Sequence, residues 1–218
     1  MEILSNWIIW SPQLFQGLLV SLRLAGLALV FGLPLGLVLA LASSTIVRPV
    51  RYAAITIVEI GRGAPALVVL QMVYYGLPAA GMTVNGFASA AAALALTTGA
   101  YTSEILRAGL NAVPHREIEA GWALGMTHRD ITRFVVIPQG ILFAVPALMG
   151  FAILIFQATA LTFTIAIPEL LARAYRIGAA TYLYLDVLIL AGVFYLAVTI
   201  PLGWLVSYTE RRLGSHLG

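Results

Sequence analysis

The chain has 218 residues, 61% hydrophobic and 10% charged, with a formal net charge of +3 and a mean hydropathy of +0.98. Soluble domains run at about 45–50% apolar and about 25% charged, so most of this chain belongs in lipid and too little is left for a soluble catalytic domain. With no cysteine, disulfide frameworks, thiolate catalysis and cysteine metal sites are excluded, and with no lysine all the positive charge is arginine.

The opening MEILSNWIIW lacks the basic start of a secretory signal, so the first apolar run reads as a retained span. Five apolar runs follow one another: residues 14–42, about 55–77, 87–110, 140–167 and 186–208. Each is continuous and at least as long as the roughly 20 residues that a helical span needs. Transmembrane strands would be about 9–11 residues long and alternating. The fold class is therefore all-α and integral to the membrane, with about five transmembrane helices. Arginine placement orients them. With the N-terminus outside and the C-terminus inside, Arg48, Arg51, Arg62, Arg107, Arg116, Arg129, Arg133, Arg211 and Arg212 lie inside. Arg173 and Arg176 then lie outside, and Arg23 falls within a span. Trp7, Trp10, Tyr74, Tyr75, Tyr182, Tyr184, Trp204 and Tyr208 sit near span ends, as interfacial aromatics do.

The longest inner connection, residues 111–138, is the most polar part of the chain. Pro114 suits a first helical turn, and Glu117 and Glu119 follow near the positive end of the dipole. This helix, HREIEAGWAL, is expected to stop at Gly125 in a left-handed C-cap. Thr127 with Asp130 three residues on is a capping-box signal, predicting a second helix, HRDITRFVVI, that stops before Pro138. Ile131, Phe134 and Val135 recur at helical spacing and are expected to pack on the membrane body. Trp122, Leu124 and Met126 surround the joint as an apolar knob rimmed by charge. That knob fits a partner site or a helical hairpin lying among headgroups.

In this segment Glu119-Ala120-Gly121, three residues, Gly125, nine residues, then Val135-Val136-Ile137-Pro138 resembles the EAA signature of ABC importer permeases in full spacing. The run from Gly61 to Pro78 (GRGAPALVVLQMVYYGLP) is similar to the RGTP…YYGLP run of the polar amino-acid permeases. AYTSEILRAGLNAVP, from Ala100 to Pro114, and IPQG, from Ile137 to Gly140, resemble two further family stretches. Two departures stand out. His115-Arg116 replaces the family's GQ, and Gln157-Ala158-Thr159-Ala160-Leu161 replaces its K-D/S-T-S-L, which removes a charged pair.

The resemblance implies the transmembrane-domain fold of a type I ABC importer. Residues 1–218 then form one permease domain, with its core over 11–212 and residues 111–138 as the cytoplasmic coupling segment. It implies that Glu119, Ala120, Gly121, Trp122, Leu124, Gly125, Met126 and Thr127 meet a cytoplasmic ATPase subunit. A second permease subunit, identical or sister, and an extracytoplasmic solute-binding protein complete the expected assembly. The place is the bacterial cytoplasmic membrane, and the cargo a polar or charged amino acid. No G-x-x-x-x-G-K-[ST] loop occurs, so no cofactor is expected in this chain. The ATP–Mg belongs to the partner ATPase, and this chain is a transporter subunit rather than an enzyme.

Ionisable residues inside spans are expensive and usually functional. Glu104 and Arg107 lie one helical turn apart and read as an ion pair or gate element ahead of a solute contact. Glu59 and Arg62 have the same spacing. Gln157, Thr159 and Thr162 read either as interhelical hydrogen-bonding groups or, through the resemblance, as part of the substrate pathway together with Glu104. Arg23 can snorkel or meet a partner. Gly32 and Gly36 form a close-packing face around Pro34. His115, His128 and His216 lack metal-ligand spacing, and no metal site is expected. The alternative function is a self-sufficient ion-coupled carrier or channel built around the Glu104–Arg107 pair.

Overall fold

The structure, a computed structural model, describes residues 2–214; His216 lies outside the described residues. Nine α-helices account for nearly all of them. The first, α1 (Glu2–Ser43), is longer than a span needs, at about 63 Å. Its inner face carries Leu14, Leu24, Ala28 and Ala40, all fully buried. Pro34 lies inside it, flanked by Gly32 and Gly36, and those two glycines lie directly against Thr98 and Thr102 of a later helix. A Cβ at either glycine would overlap those threonines, so the expected close-packing face is a backbone contact.

The expected second span is not one helix. It divides into α2 (Arg48–Gly63) and α3 (Ala66–Ala79), which meet at 103°. Pro65 has no N–H to continue a helix and holds Ala64 extended, at φ −83° and ψ 132°. α2 buries only Ala54 and Val58 and keeps Arg48, Arg51 and Glu59 toward the surface.

α4 (Gly86–Asn111) begins at Asn85, whose Oδ1 accepts from the Ala88 N–H at 2.8 Å. It is about 39 Å long and the most enclosed helix of the fold. α1 and α7 (Ile137–Ala158) are packed on it. Its alanines let those neighbours approach. Thr97, Thr98 and Thr102 return their hydroxyls to carbonyls one turn back, which satisfies them without water. Among the described residues three stretches have the length and apolar composition of a membrane span: Ser5–Ser43, His128–Ile165 and Tyr184–Leu213. The bent pair passes only when taken as one unit. α4 has the length but is richer in small and hydroxylated residues, because it faces other helices more than lipid.

Past α4 lie the two short helices α5 (His115–Ala123) and α6 (His128–Ile131). The second does not stop before Pro138. It passes through a π-helical stretch, Thr132–Val136, straight into α7. The Ile137 N–H reaches back five residues to the Thr132 carbonyl, and Pro138, which has no N–H to donate, follows this widened turn inside the continuous helix. α7 ends in a 3-10 turn, Thr159–Ile165, closed by Ala166 in the left-handed region at φ 60°. The outer connection after it is itself folded as α8 (Leu170–Thr181), ahead of the last helix, α9 (Tyr184–Gly214). The main core joins α1, α3, α4, α7, α8 and α9 through residues such as Leu14, Leu70, Leu94, Ile155, Leu170 and Val187.

Candidate functional site

The polar connection is a joint of defined geometry. At the end of α5 the Gly125 N–H donates to the Trp122 carbonyl at 2.9 Å and the Met126 N–H to the Gly121 carbonyl at 3.1 Å. This Schellman closure requires a left-handed residue, and Gly125 supplies it at φ +76°. Two residues later the expected capping box is in place. The Asp130 N–H donates to Thr127 Oγ1 at 3.2 Å, and the Thr127 N–H donates to Asp130 Oδ2 at 3.3 Å. One helix is thus closed and the next opened within three residues, which leaves little freedom in the angle between them.

Gly121 is buried where α5 crosses α6. A Cβ there would lie 2.9 Å from Ile131 Cγ1, and Ile131 is itself only 1% exposed. Glycine at this position is therefore what lets the two helices touch. On the opposite side the joint is bare: Leu124 is 81% exposed and Trp122 53%. Glu119, Ala120, Gly125 and Thr127 are also exposed, and Met126 is half-buried. A Cβ on Gly125 would meet nothing of this chain within 4 Å. Of the three apolar residues expected to pack inward, Ile131 does so. Phe134 is 62% exposed, with the Arg133 guanidinium 5.4 Å from its ring centre. The π-helical stretch adds a residue to the turn and shifts the face that Phe134 would otherwise share with Ile131.

The joint stands on a rigid base. Gly109 of α4 lies directly against the Gly140 carbonyl of α7, and a Cβ on Gly140 would come within 2.7 Å of Leu110 Cα. The two helices flanking the joint meet backbone to backbone.

The candidate pathway residues are not all alike. Glu104 forms a bidentate pair with Arg107, at 2.9 Å to Nε and 2.6 Å to Nη2. Arg62, from α2, lies 3.6 Å from Glu104 and 3.8 Å from Glu59. The two expected pairs are therefore one network tying the bent pair to α4, and the Tyr101 hydroxyl adds a bond to the Arg62 carbonyl at 3.2 Å. Thr159 and Thr162 are fully buried and donate to the Phe156 and Thr159 carbonyls, at 2.6 and 2.7 Å. Gln157 is exposed beside them. Arg23 is exposed on α1, away from the face holding Leu24 and Ala28.

Sequence reasoning missed Glu169. It is fully buried and caps α8, accepting from the Leu171 and Ala172 N–H groups at 2.9 and 2.7 Å. Ser21 of α1 donates to it at 3.4 Å and Tyr195 of α9 at 3.3 Å. Burial pushes its carboxyl above the ordinary range, against the two backbone donors that pull it down. The only local signal was Pro168 ahead of a helix-forming run, LLARAYRIGAAT. Among the described residues no group of acidic or histidine side chains could hold a metal ion.

A family model described as the binding-protein-dependent transport system inner membrane component matches residues 32–215. The chain is 34% identical over 206 residues to the arginine transport system permease protein ArtQ of Bacillus subtilis, covering 94% of each chain. It is 35% identical over 207 residues to the L-cystine transport system permease protein TcyB of the same organism, covering 94% of this chain and 88% of that one. A crystal structure of an amino acid ABC transporter with histidines superimposes with a TM-score of 0.90 at 35% identity, over 97% of this chain and 99% of that one.

Proposed function

The chain belongs to the family of binding-protein-dependent transport system inner membrane components, and on that premise we propose that it is the permease of an importer for polar or charged amino acids. It is a transmembrane subunit of an ABC importer with the type I fold, and its ATPase is a separate subunit. In our reading the α5–α6 joint is the coupling element, and Glu119, Ala120, Gly121, Trp122, Leu124, Gly125, Met126 and Thr127 seat in a cleft on a cytoplasmic ATPase. The single observation that carries this is an exposed apolar tip, Leu124 and Trp122, held on a fully capped joint. Solvent gives an isolated tip no reason to be apolar, and a loose loop gives it no reason to be rigid.

ATP binding would draw two such joints together and rock the spans from inward-open to outward-open. A solute-binding protein would deliver the amino acid on the outer side, and a second permease subunit, identical or sister, would complete the path. All of residues 1–218 form one permease domain with its core over 11–212, in the bacterial cytoplasmic membrane, N-terminus outside and C-terminus inside. Of the candidate pathway residues, Gln157 is the one with a free face. Thr159 and Thr162 shape the turn beneath it, and Glu104 acts through its network with Arg62 and Arg107 as a gate element. The cargo class rests on the relatives, whose names carry arginine and L-cystine. The self-sufficient carrier is not favoured, since the Glu104 carboxylate is already spent on two arginines.

Co-purification tests the reading, followed by ATPase assays with the solute-binding protein over a panel of polar amino acids. The expected result is a retained ATPase subunit whose turnover rises with one amino acid or a few. Amino-acid transport by this chain alone in proteoliposomes would overturn it.

A further inference from the structure

At the far end of α7 from the joint, about 33 Å along the helix, the 3-10 turn, α8 and the start of α9 border an open surface hollow of about 350 Å³, in which Arg176, Tyr175 and Tyr184 are exposed. Its walls are aromatic. The Phe163 and Tyr175 rings lie 4.8 Å apart, and Tyr184 stands edge-on to Tyr175 at 6.0 Å. The arrangement is built rather than incidental. Ala166 takes a left-handed conformation to turn the chain around the rim. The Tyr184 ring is folded onto bare backbone at Gly178, where a Cβ would come within 2.6 Å of Tyr184 Cδ1. One cation, Arg176, lines the hollow. Among the described residues its guanidinium has no hydrogen-bond or ion-pair partner, and the Tyr175 and Tyr184 hydroxyls have no hydrogen-bond partner.

An unpartnered guanidinium fits a carboxylate in fork geometry. Tyrosine faces fit an ammonium or an aliphatic stem. Placed side by side, the two halves match a zwitterion of the α-amino-acid type. We propose that this hollow binds such a zwitterion, its carboxylate on Arg176 and its ammonium and side chain against Tyr175 and Tyr184. The site rests on the importer reading above and adds to it a solute contact on the outer half of this subunit, apart from Gln157.

The test uses the permease assembled with its ATPase subunits in nanodiscs, without solute-binding protein. Binding of each radiolabelled standard L-amino acid is followed by scintillation proximity. The wild-type complex should bind at least one saturably, and the α-carboxamide of that amino acid should compete about tenfold more weakly or worse. Arg176→Gln and Tyr175→Ala should each weaken binding about tenfold or more, and Arg176→Lys less than Arg176→Gln. All three should retain the ATPase subunits. Should a variant lose them, the carboxamide competition decides on wild-type protein alone. Saturable binding unchanged by Arg176→Gln overturns the site, as does a carboxamide that competes as well as its parent, or no binding of any amino acid. Uptake by the complete system with its binding protein, measured on the same wild-type complex, separates the two levels. Uptake that persists beside a negative result removes this site and leaves the importer standing.

Discussion

Gly121→Ala is the sharpest test of the joint, because two effects of opposite sign meet there. Alanine is the better helix former, by about 1 kcal/mol, and the EAA signature that this segment resembles has alanine at that place. On sequence alone the substitution should be neutral or stabilising. The structure reverses the sign. The new methyl would stand 2.9 Å from Ile131 Cγ1 and 3.2 Å from Cδ1, whereas carbon pairs rest at about 3.5–4.0 Å. Cγ1 is bonded directly to the branched Cβ, whose rotation is restricted, in a side chain that is only 1% exposed, so it cannot swing clear and α5 has to lift. Overpacking of this kind costs about 1–3 kcal/mol, and the net is a loss of about 1 kcal/mol. Amide exchange over residues 115–126 and thermal melting of the assembled complex should both register it, with faster exchange confined to α5 and α6. Ile131→Ala alone empties a core position and costs about 2–5 kcal/mol. Combined with Gly121→Ala it should cost less than the two singles summed, since the methyl fills part of the hole. A Gly121→Ala complex that melts at or above wild type, with unchanged exchange, refutes the packing argument.

At Gly125 the left-handed backbone costs a non-glycine residue about 1–2 kcal/mol, while the space beyond is open within this chain. Gly125→Asp and Gly125→Arg are expected to insert normally yet uncouple ATP hydrolysis from uptake, and normal uptake in proteoliposomes would remove the coupling role. Thr127→Ala deletes the capping box and should cost about 1 kcal/mol, seen as faster exchange over residues 128–131. Adding Asp130→Ala should cost little more, because the two side chains serve one motif. Glu169→Gln should matter in proportion to pH. A carboxyl whose folded value is raised contributes stability fully below its unfolded value, about 4.3, and loses it as pH rises through the folded value. The melting temperature of the Gln variant relative to wild type should therefore climb as pH rises above that unfolded value, and a flat or falling difference would contradict it.

What could be read from the sequence was local. Gly125, Thr127 and Asp130 announce a closed and reopened helix through chemistry contained in six residues, and the structure holds that motif in full. Glu104 with Arg107 was legible for the same reason, being one turn apart on one helix. Features that depend on distant partners were not. Nothing near Glu104 announces Arg62, and nothing near Glu169 announces Ser21 or Tyr195. Apolar runs give length and not direction, so the 103° bend at Pro65 and the folding of the outer connection into α8 escaped. The π-helical stretch escaped as well. A proline normally ends a helix, and only the register shift before it reveals that this one does not.

The crossing of Gly109 and Gly140 has a mechanical meaning. Side chains between two helices act as a compressible cushion, since rotamers can shift to absorb a small push. Here the cushion is missing at the end nearest the joint, and the backbones bear on each other as a fulcrum. α4 extends about 39 Å from that end, so a tilt of about 5° sweeps its far end through about 3 Å. If the joint receives its push as proposed, a small movement at α5 would become a larger one at the opposite face, where α8 and its aromatic hollow lie.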